Sequence, residues 1–463
     1  MKKFYYLTFV SFFLLSGCSS TDYKKIRAEE NQKLLSKESE SREIVSKLGT
    51  EISLEEALEL GERRSSSIKI RKLQSEIAKL DKDIAFGNFL PKITVSGSYN
   101  QFNEGIYAQT VGVDLPFGLD LETRVVDKNF YMAGVGATLP IFTPTAWYLY
   151  EARKKGVDIS REIEEFERKK VRVQIINSYY HIAALESEKE YLEKGIEHAE
   201  ELTKNARVAL ETESIMPWEY DQSQQFLKSK EFALNKNNRE LSEAKMQFLR
   251  LLDLHPFVEF QIEKREEFSG KKIQLNEIIY SALENSSLLK IEDIAHGVQE
   301  DMVKIAIANF LPNVALTGGY SRNSNSAIVD PLIINGSLMG ALTLFNGFQN
   351  INSYKKSKKA LQISEIERGD SAAKVILETV NAFNFYQEVR ENLELAQKNY
   401  SVLSQKLHQK KLEKEMEMVT DEELLRSYTE NEKAFSTMKN CQYRYEISLA
   451  LLELVTGGYD GKK

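Results

Sequence analysis

Apolar positions along the chain keep two different periods, and the change from one to the other happens twice at nearly the same residues. Leu54, Ala57, Leu58, Ile68, Ile70, Leu73, Ile77, Leu80 and Ile84 fall at helical spacing behind a capping sequence, Ser53-Leu54-Glu55-Glu56. The pattern stops at Asn88-Phe89-Leu90-Pro91, because proline disfavours helix for the residue before it. Beyond it Ile93, Val95, Gly97 and Tyr99 alternate with Thr94, Ser96, Ser98 and Asn100, the period of a strand. A second passage runs through Leu275, Ile278, Ala282, Ile291, Ile294, Val298 and Ile305 to Asn309-Phe310-Leu311-Pro312, then Val314, Leu316, Gly318 and Tyr320. Residues 84–99 and 305–320 align without a gap, and eight of the sixteen positions are identical. The chain is a tandem repeat in which each half passes from helix to strand.

Each half returns on a second strand: Val135, Ala137, Leu139 and Ile141 in the first, Leu338, Gly340, Leu342 and Leu344 in the second. The pattern predicts strands over about 91–101, 131–142, 312–322 and 336–346, long enough to cross a bilayer when tilted. Apolar residues alternating with small polar ones suit lipid on one face and water on the other. Ile93, Val95, Tyr99, Val135, Leu139, Val314, Leu316, Tyr320, Leu338 and Leu342 are the candidates for the lipid face. Tyr99 and Tyr320 fall where an aromatic girdle would lie; tyrosines packed on a soluble sheet are the other reading.

Proline-free stretches follow, from about Tyr148 to Leu210 and from about Ile351 to Leu412. Helices of that length cannot bury an apolar stripe alone, so they must pack on one another. Val389, Leu393, Ala396, Tyr400, Leu403 and Leu407 mark a heptad seam in the second. Turns at Glu211–Pro217 and Glu413–Val419 send helices back. The expected organisation is a first repeat over 51–254, a non-periodic connection over 255–272 lying against the helices, a second repeat over 273–457 ended by Gly457-Gly458, and a tail over 458–463.

Composition narrows the class. Charged residues make up 28% and hydrophobic ones 42%, too apolar for wholesale disorder and too polar for a bundle of membrane helices. A net charge of −7 without a basic patch argues against nucleic acid. The chain starts with Lys2-Lys3, an apolar run from Phe4 to Leu15, and Leu15-Ser16-Gly17-Cys18. Residues 1–17 read as a signal peptide. Its end resembles a bacterial lipobox, in which the Cys18 thiol takes the lipid (palmitate among the expected acyl groups); a secretory signal with a chance cysteine is the alternative. Residues 18–50 read as a lipidated N-terminus and polar tether. Cys441, in an amphipathic helical pattern, reads as a buried free thiol. The histidines at 181, 198, 255, 296 and 408 have no metal spacing, and no nucleophile motif accompanies them. Neither enzyme activity nor a cofactor or metal is expected.

Four strands cannot close a barrel, and an open edge in hydrocarbon leaves backbone groups unpaired. Two chains would supply eight strands and three would supply twelve, with room for a lumen. The lipobox, the twofold repetition, Asn-Phe-Leu-Pro before each first strand, the endings Leu139-Pro140-Ile141-Phe142 and Leu342-Thr343-Leu344-Phe345, and the long helices resemble the outer-membrane efflux proteins typified by TolC. The resemblance spans residues 52–457. It implies a mixed α and β fold: long antiparallel coiled-coil helices plus four membrane strands per chain, closing as a homotrimer with a twelve-stranded β-barrel on an α-helical tunnel. It further implies a lipid-anchored protein of the bacterial outer membrane that works with a periplasmic adaptor and an inner-membrane transporter in small-molecule efflux. Type I protein secretion is the alternative, and a coiled-coil lipoprotein without a pore is the more distant one. Family members often carry acids past the second helical turn, which makes Asp421, Glu422 and Glu423 candidates for an acidic ring at the tunnel mouth. The same acids would equally stabilise a helix N-terminus.

Overall fold

The structure, a computed structural model, describes residues 22–49, 51–109, 122–263, 273–416 and 418–457. The first half comprises α1 (Tyr23–Leu48), β1 (Glu51–Ile52), α2 (Leu54–Arg64), α3 (Ser66–Phe86), β2 (Lys92–Gln101), β3 (Ile106–Gln109), β4 (Glu122–Val126), β5 (Asn129–Phe142), α4 (Pro144–Glu211) and α5 (Pro217–Leu251). The short β6 (Gln261–Ile262) lies between the halves. The second half comprises α6 (Leu275–Asn285), α7 (Ser287–Ala308), β7 (Asn313–Asn323), β8 (Leu332–Ala341), α8 (Gln349–Glu415) and α9 (Asp421–Thr456).

Local chemistry sets the boundaries. Ser53 and Glu56 form the capping box that starts α2. The helix expected to run unbroken to Asn88 bends out of helical geometry at Ser65, and its counterpart does so at Ser286. Close approach explains a glycine nearby: a Cβ on Gly61 would fall 2.1 Å from Ile175 Cδ1. At the far end Gly457 adopts φ 74°, and a Cβ there would meet the Asn285 carbonyl oxygen at 2.3 Å.

The four long strands form one antiparallel sheet in the order β2-β5-β7-β8, and β3 and β4 form a separate hairpin within the stretch that the sequence leaves as a loop. The helices change partners along their length. Next to the sheet, α4 packs between α3 and α7, and α8 lies against α7; beyond the middle, α4 packs between α5 and α9, and α8 lies against α9. Helices α4 and α8, of 68 and 67 residues, run through both levels. Each is about 100 Å long at ~1.5 Å per residue.

Two apolar cores sit at the middle level, the first built mainly from the first half with Tyr443 and Ala450 of the second. The first gathers Ile52, Val171, Ile175, Tyr179, Phe248, Leu252, Phe260 and Ile262. The second gathers Ile278, Phe383, Tyr386, Val389, Tyr445 and Leu452. Strands β1 and β6 pair in parallel beside the first core, and the Tyr179 hydroxyl lies 3.2 Å from the Ile52 carbonyl and 2.9 Å from that of Glu263.

Several expectations need correction. Within the stretch expected as a tether, residues 23–48 form a helix that docks on the body: the Ser41 hydroxyl accepts from the His255 backbone N–H at 3.0 Å, Arg64 reaches Glu40 at 3.0 Å, and Val45 is buried. The connection between the halves contributes β6, a strand that its two residues could not announce by periodicity. β8 ends at Ala341, which pairs with Asn313, the first residue of β7 after Pro312. Leu342 and Leu344 therefore lie past the ladder, whereas Leu332 and Ile334 belong to it. Cys441 is half-buried, and burial pushes its thiol pKa up. Cys18 and residues 458–463 lie outside the described residues.

One buried carboxylate joins the halves. Asp301 on α7 is 2% exposed and accepts from Lys155 on α4 at 2.6 Å and from Lys304 at 2.9 Å. Burial works against its charge, but the two lysines outweigh it and hold the carboxyl below the ordinary range. Its stabilisation is thus complete above the usual aspartate pKa and is lost as pH falls through the lowered value. Asp301→Ala is expected to cost about 2 kcal/mol by stranding Lys155. Loss of helical circular dichroism on heating will measure it, and Lys155→Met with Asp301→Leu should recover most of the loss.

Candidate functional site: a one-faced sheet above a helical tip

Register decides which side chains share a face. Val95 stands opposite Val135, Val135 opposite Tyr320, and Tyr320 opposite Ile334, one apolar row across all four strands. Leu139, Leu316 and Leu338 form another, Ile93 faces Ala137, and Tyr99 faces Tyr131. Val314 faces Gly340 beside a bulge between Pro140 and Phe142. Nine of the ten strand candidates thus share one face, Leu342 being the exception. That face is open to the surroundings, with Val95 and Ile334 each 82% exposed. Pattern reading missed Tyr131, Leu332 and Ile334, although Tyr131 keeps the period of Val135 and Ile334 that of Leu338. The opposite face carries Thr94, Ser96, Ser98, Thr317, Asn335 and Ser337, with the Thr317 and Ser337 hydroxyls 2.7 Å apart.

The two tyrosines taken as a girdle do not share a row. By repetition Val95 corresponds to Leu316, yet it stands level with Tyr320, four residues further along β7. Four residues are ~13 Å of strand, against ~9.6 Å across two inter-strand spacings. For equivalent residues to stand at one height, the strands must lean by roughly 50° from the axis relating the halves, steeper than the usual 35–45°.

Beyond the sheet, Ser326 donates to Asp127 from its backbone N–H at 2.6 Å and from its hydroxyl at 2.7 Å. Asn325 donates to the Val125 carbonyl at 3.0 Å, so the β7–β8 loop is tied to the end of the β3–β4 hairpin.

At the opposite end lie the turns between α4 and α5 and between α8 and α9. Thr420 caps α9, its hydroxyl accepting from the Glu423 N–H at 3.2 Å. Asp421, Glu422 and Glu423 are accordingly the first three residues of that helix, where the macrodipole favours acids; Glu422 and Glu423 are exposed. Lys410 is held above its ordinary pKa by its hydrogen bond to Glu413, with Glu423 adding to the effect. The two hairpins meet through polar groups: Lys194 lies 3.2 Å from Glu432, Ser436 donates to Glu188 at 2.6 Å, and the His198 and Tyr428 rings are 5.0 Å apart. Burial lowers the His198 pKa.

No family model and no curated protein matches the chain. Solved structures do. The CmeC outer membrane channel of Campylobacter jejuni superposes with a TM-score of 0.73 at 17% identity, covering 88% of this chain and 85% of that one. The outer membrane protein VceC of Vibrio cholerae gives 0.69 at 13%, covering 88% and 96%. The MtrE outer membrane channel of Neisseria gonorrhoeae, in its open state, gives 0.67 at 16%, covering 88% and 89%. The chain has the fold of these channels. Among the described residues no helix is long and apolar enough to cross a membrane, and no three His, Cys, Asp or Glu residues are grouped to hold a metal ion.

Spin labels can check the lean of the strands. Labels replacing Val95 and Leu316 are expected at equal depth, and one replacing Tyr320 about 8 Å apart from them despite facing the Val95 row. Equal depth for Val95 and Tyr320 would reject the lean.

Proposed function

We propose that the chain is a TolC-like outer-membrane efflux protein, the exit channel of a tripartite system. In this reading it passes small molecules, delivered by an inner-membrane transporter and a periplasmic adaptor, to the outside. One observation carries it: a sheet with an apolar face and a polar face that, among the described residues, ends in two unpaired edges, β2 and β8. Hydrocarbon tolerates such a sheet only when both edges find partners. Copies joined edge to edge close it, and three copies give twelve strands around a polar lumen. The helices, about 100 Å long, then continue that lumen as a tunnel through the periplasm.

The same reading assigns the remaining roles. Cys18 carries the acyl chains, and α1 links them to the middle of the molecule as a strut. Asp421, with Glu422 and Glu423, forms the acidic ring at the far mouth, where repeated carboxylates favour cations. A polypeptide-secreting channel would share this architecture; recovery of a peptide exporter alone with the crosslinked protein would favour it over drug-type efflux.

Two measurements test the proposal. In planar bilayers the full-length protein should conduct with preference for cations, and Asp421→Ala should weaken that preference; a non-conducting oligomer would remove the channel reading. Labelled palmitate should enter the wild-type protein in cells and be lost from Cys18→Ala.

A further inference from the structure

The repeat predicts how the helical edges of two copies meet. Helix α7 follows α3 at a spacing of 221 residues, and α8 follows α4 at 204, as Tyr150 and Tyr354, Ile159 and Ile363, and Ser160 and Ser364 show. Within one chain α7 packs on α4 through Ile294, Gly297, Asp301 and neighbours, and Lys155 donates to the Gly297 carbonyl at 2.8 Å as well as to Asp301. The equivalents on α3 are Leu73, Glu76 and Leu80. Among the described residues nothing covers them: Leu73 is 58% and Leu80 60% exposed. The equivalent of Lys155 is Lys359, on the open side of α8. It is exposed, and its ammonium donates to Gln362 at 3.0 Å. Among the described residues neither Lys359 nor Glu76 has an ion-pair partner.

We propose that α3 of one copy packs on α8 of the next as α7 packs on α4, with Lys359 seated on Glu76 of the neighbouring copy. This rests on the oligomeric reading above. One feature besides the repeat supports it. A Cβ on Gly297 would meet Lys155 Nζ at 3.3 Å, so the side chain of Glu76, standing where Gly297 does, starts beside the equivalent lysine. The charge contact rests on that one pair: the exposed stretch of α8 holds Lys355, Lys356, Lys358 and Lys359, and on α3 Glu76 lies among Lys72, Lys79 and Lys82, with Asp83 3.3 Å from Lys82. The buried aspartate of the internal joint is replaced by leucine, and its charge has moved about one turn along the helix. A joint that forms only on assembly thereby avoids stranding a buried carboxylate in the free chain.

The test uses the full chain in native membranes, with Cys441→Ser to remove the half-buried thiol. Glu76→Cys combined with Lys359→Cys should oxidise to disulfide-linked dimers and trimers, whereas each single variant should not. Separately, Lys359→Glu and Glu76→Lys should each lower the temperature at which the oligomer dissociates in detergent, and the double reversal should restore it. An oligomer of native mass without pair-specific crosslinks, or a double reversal worse than either single one, overturns the seam and leaves the channel reading standing. A monomeric unmutated protein would overturn both.

Discussion

Unpaired backbone along β2 and β8 is the constraint on which the rest of the structure depends. Among the described residues, each chain completes the hydrogen bonds of only its inner strands. In water the outer edges could be hydrated; against hydrocarbon each bare N–H or C=O costs several kcal/mol. A sheet whose exposed face carries Ile93, Val95, Tyr99, Leu316, Ile334 and Leu338 is poorly suited to water. In the proposed edge-to-edge association, the apolar face meets lipid while the open edges find partners.

The helical body answers a related problem. A rod about 100 Å long exposes apolar surface along its whole length, and no single partner in this chain is as long as α4 or α8. Each is therefore covered by two shorter helices end to end, with the join at the level of the apolar cores. There the short helices begin or end, at Ser65, Leu251, Ser286 and Gly457, and their termini rely on close packing and backbone hydrogen bonds, such as Leu252 N–H to the Phe248 carbonyl and Gly457 N–H to that of Leu454. The β1–β6 pair and the tyrosines beside it occupy this level.

Much of this was legible in the sequence where one residue type forces a local outcome. Pro91 and Pro312 stop helices, and the period-two run behind each places Val95 or Leu316 with its neighbours on one face. Register across strands was not legible: nothing local tells Val95 that it will stand level with Tyr320. β1 and β6 escaped because a two-residue strand has no period, and their pairing joins residues some two hundred positions apart. Helix α1 looked like a tether because its apolar docking is confined to the last turns, where Ile44, Val45 and Leu48 meet the first core beside Ser41 and a few charged contacts. At the tip, the acids and their cap could be read from Thr420 onward, but the balancing lysine, Lys410, sits on the other side of a turn.

Since α3, α5, α7 and α9 all terminate at the middle, α4 and α8 are the described elements that pass continuously from the sheet to the tip. They act as stiff levers with a change of bearing halfway. A rearrangement of α5 or α9 against its neighbours can take place without breaking a hydrogen bond of the sheet, because those helices never reach it. Force applied at the tip arrives at the sheet only as bending or twist of two rods per chain, after the middle cores have absorbed part of it. The partner exchange at mid-height thus separates a lower half free to change shape from an upper half whose hydrogen bonds must stay closed.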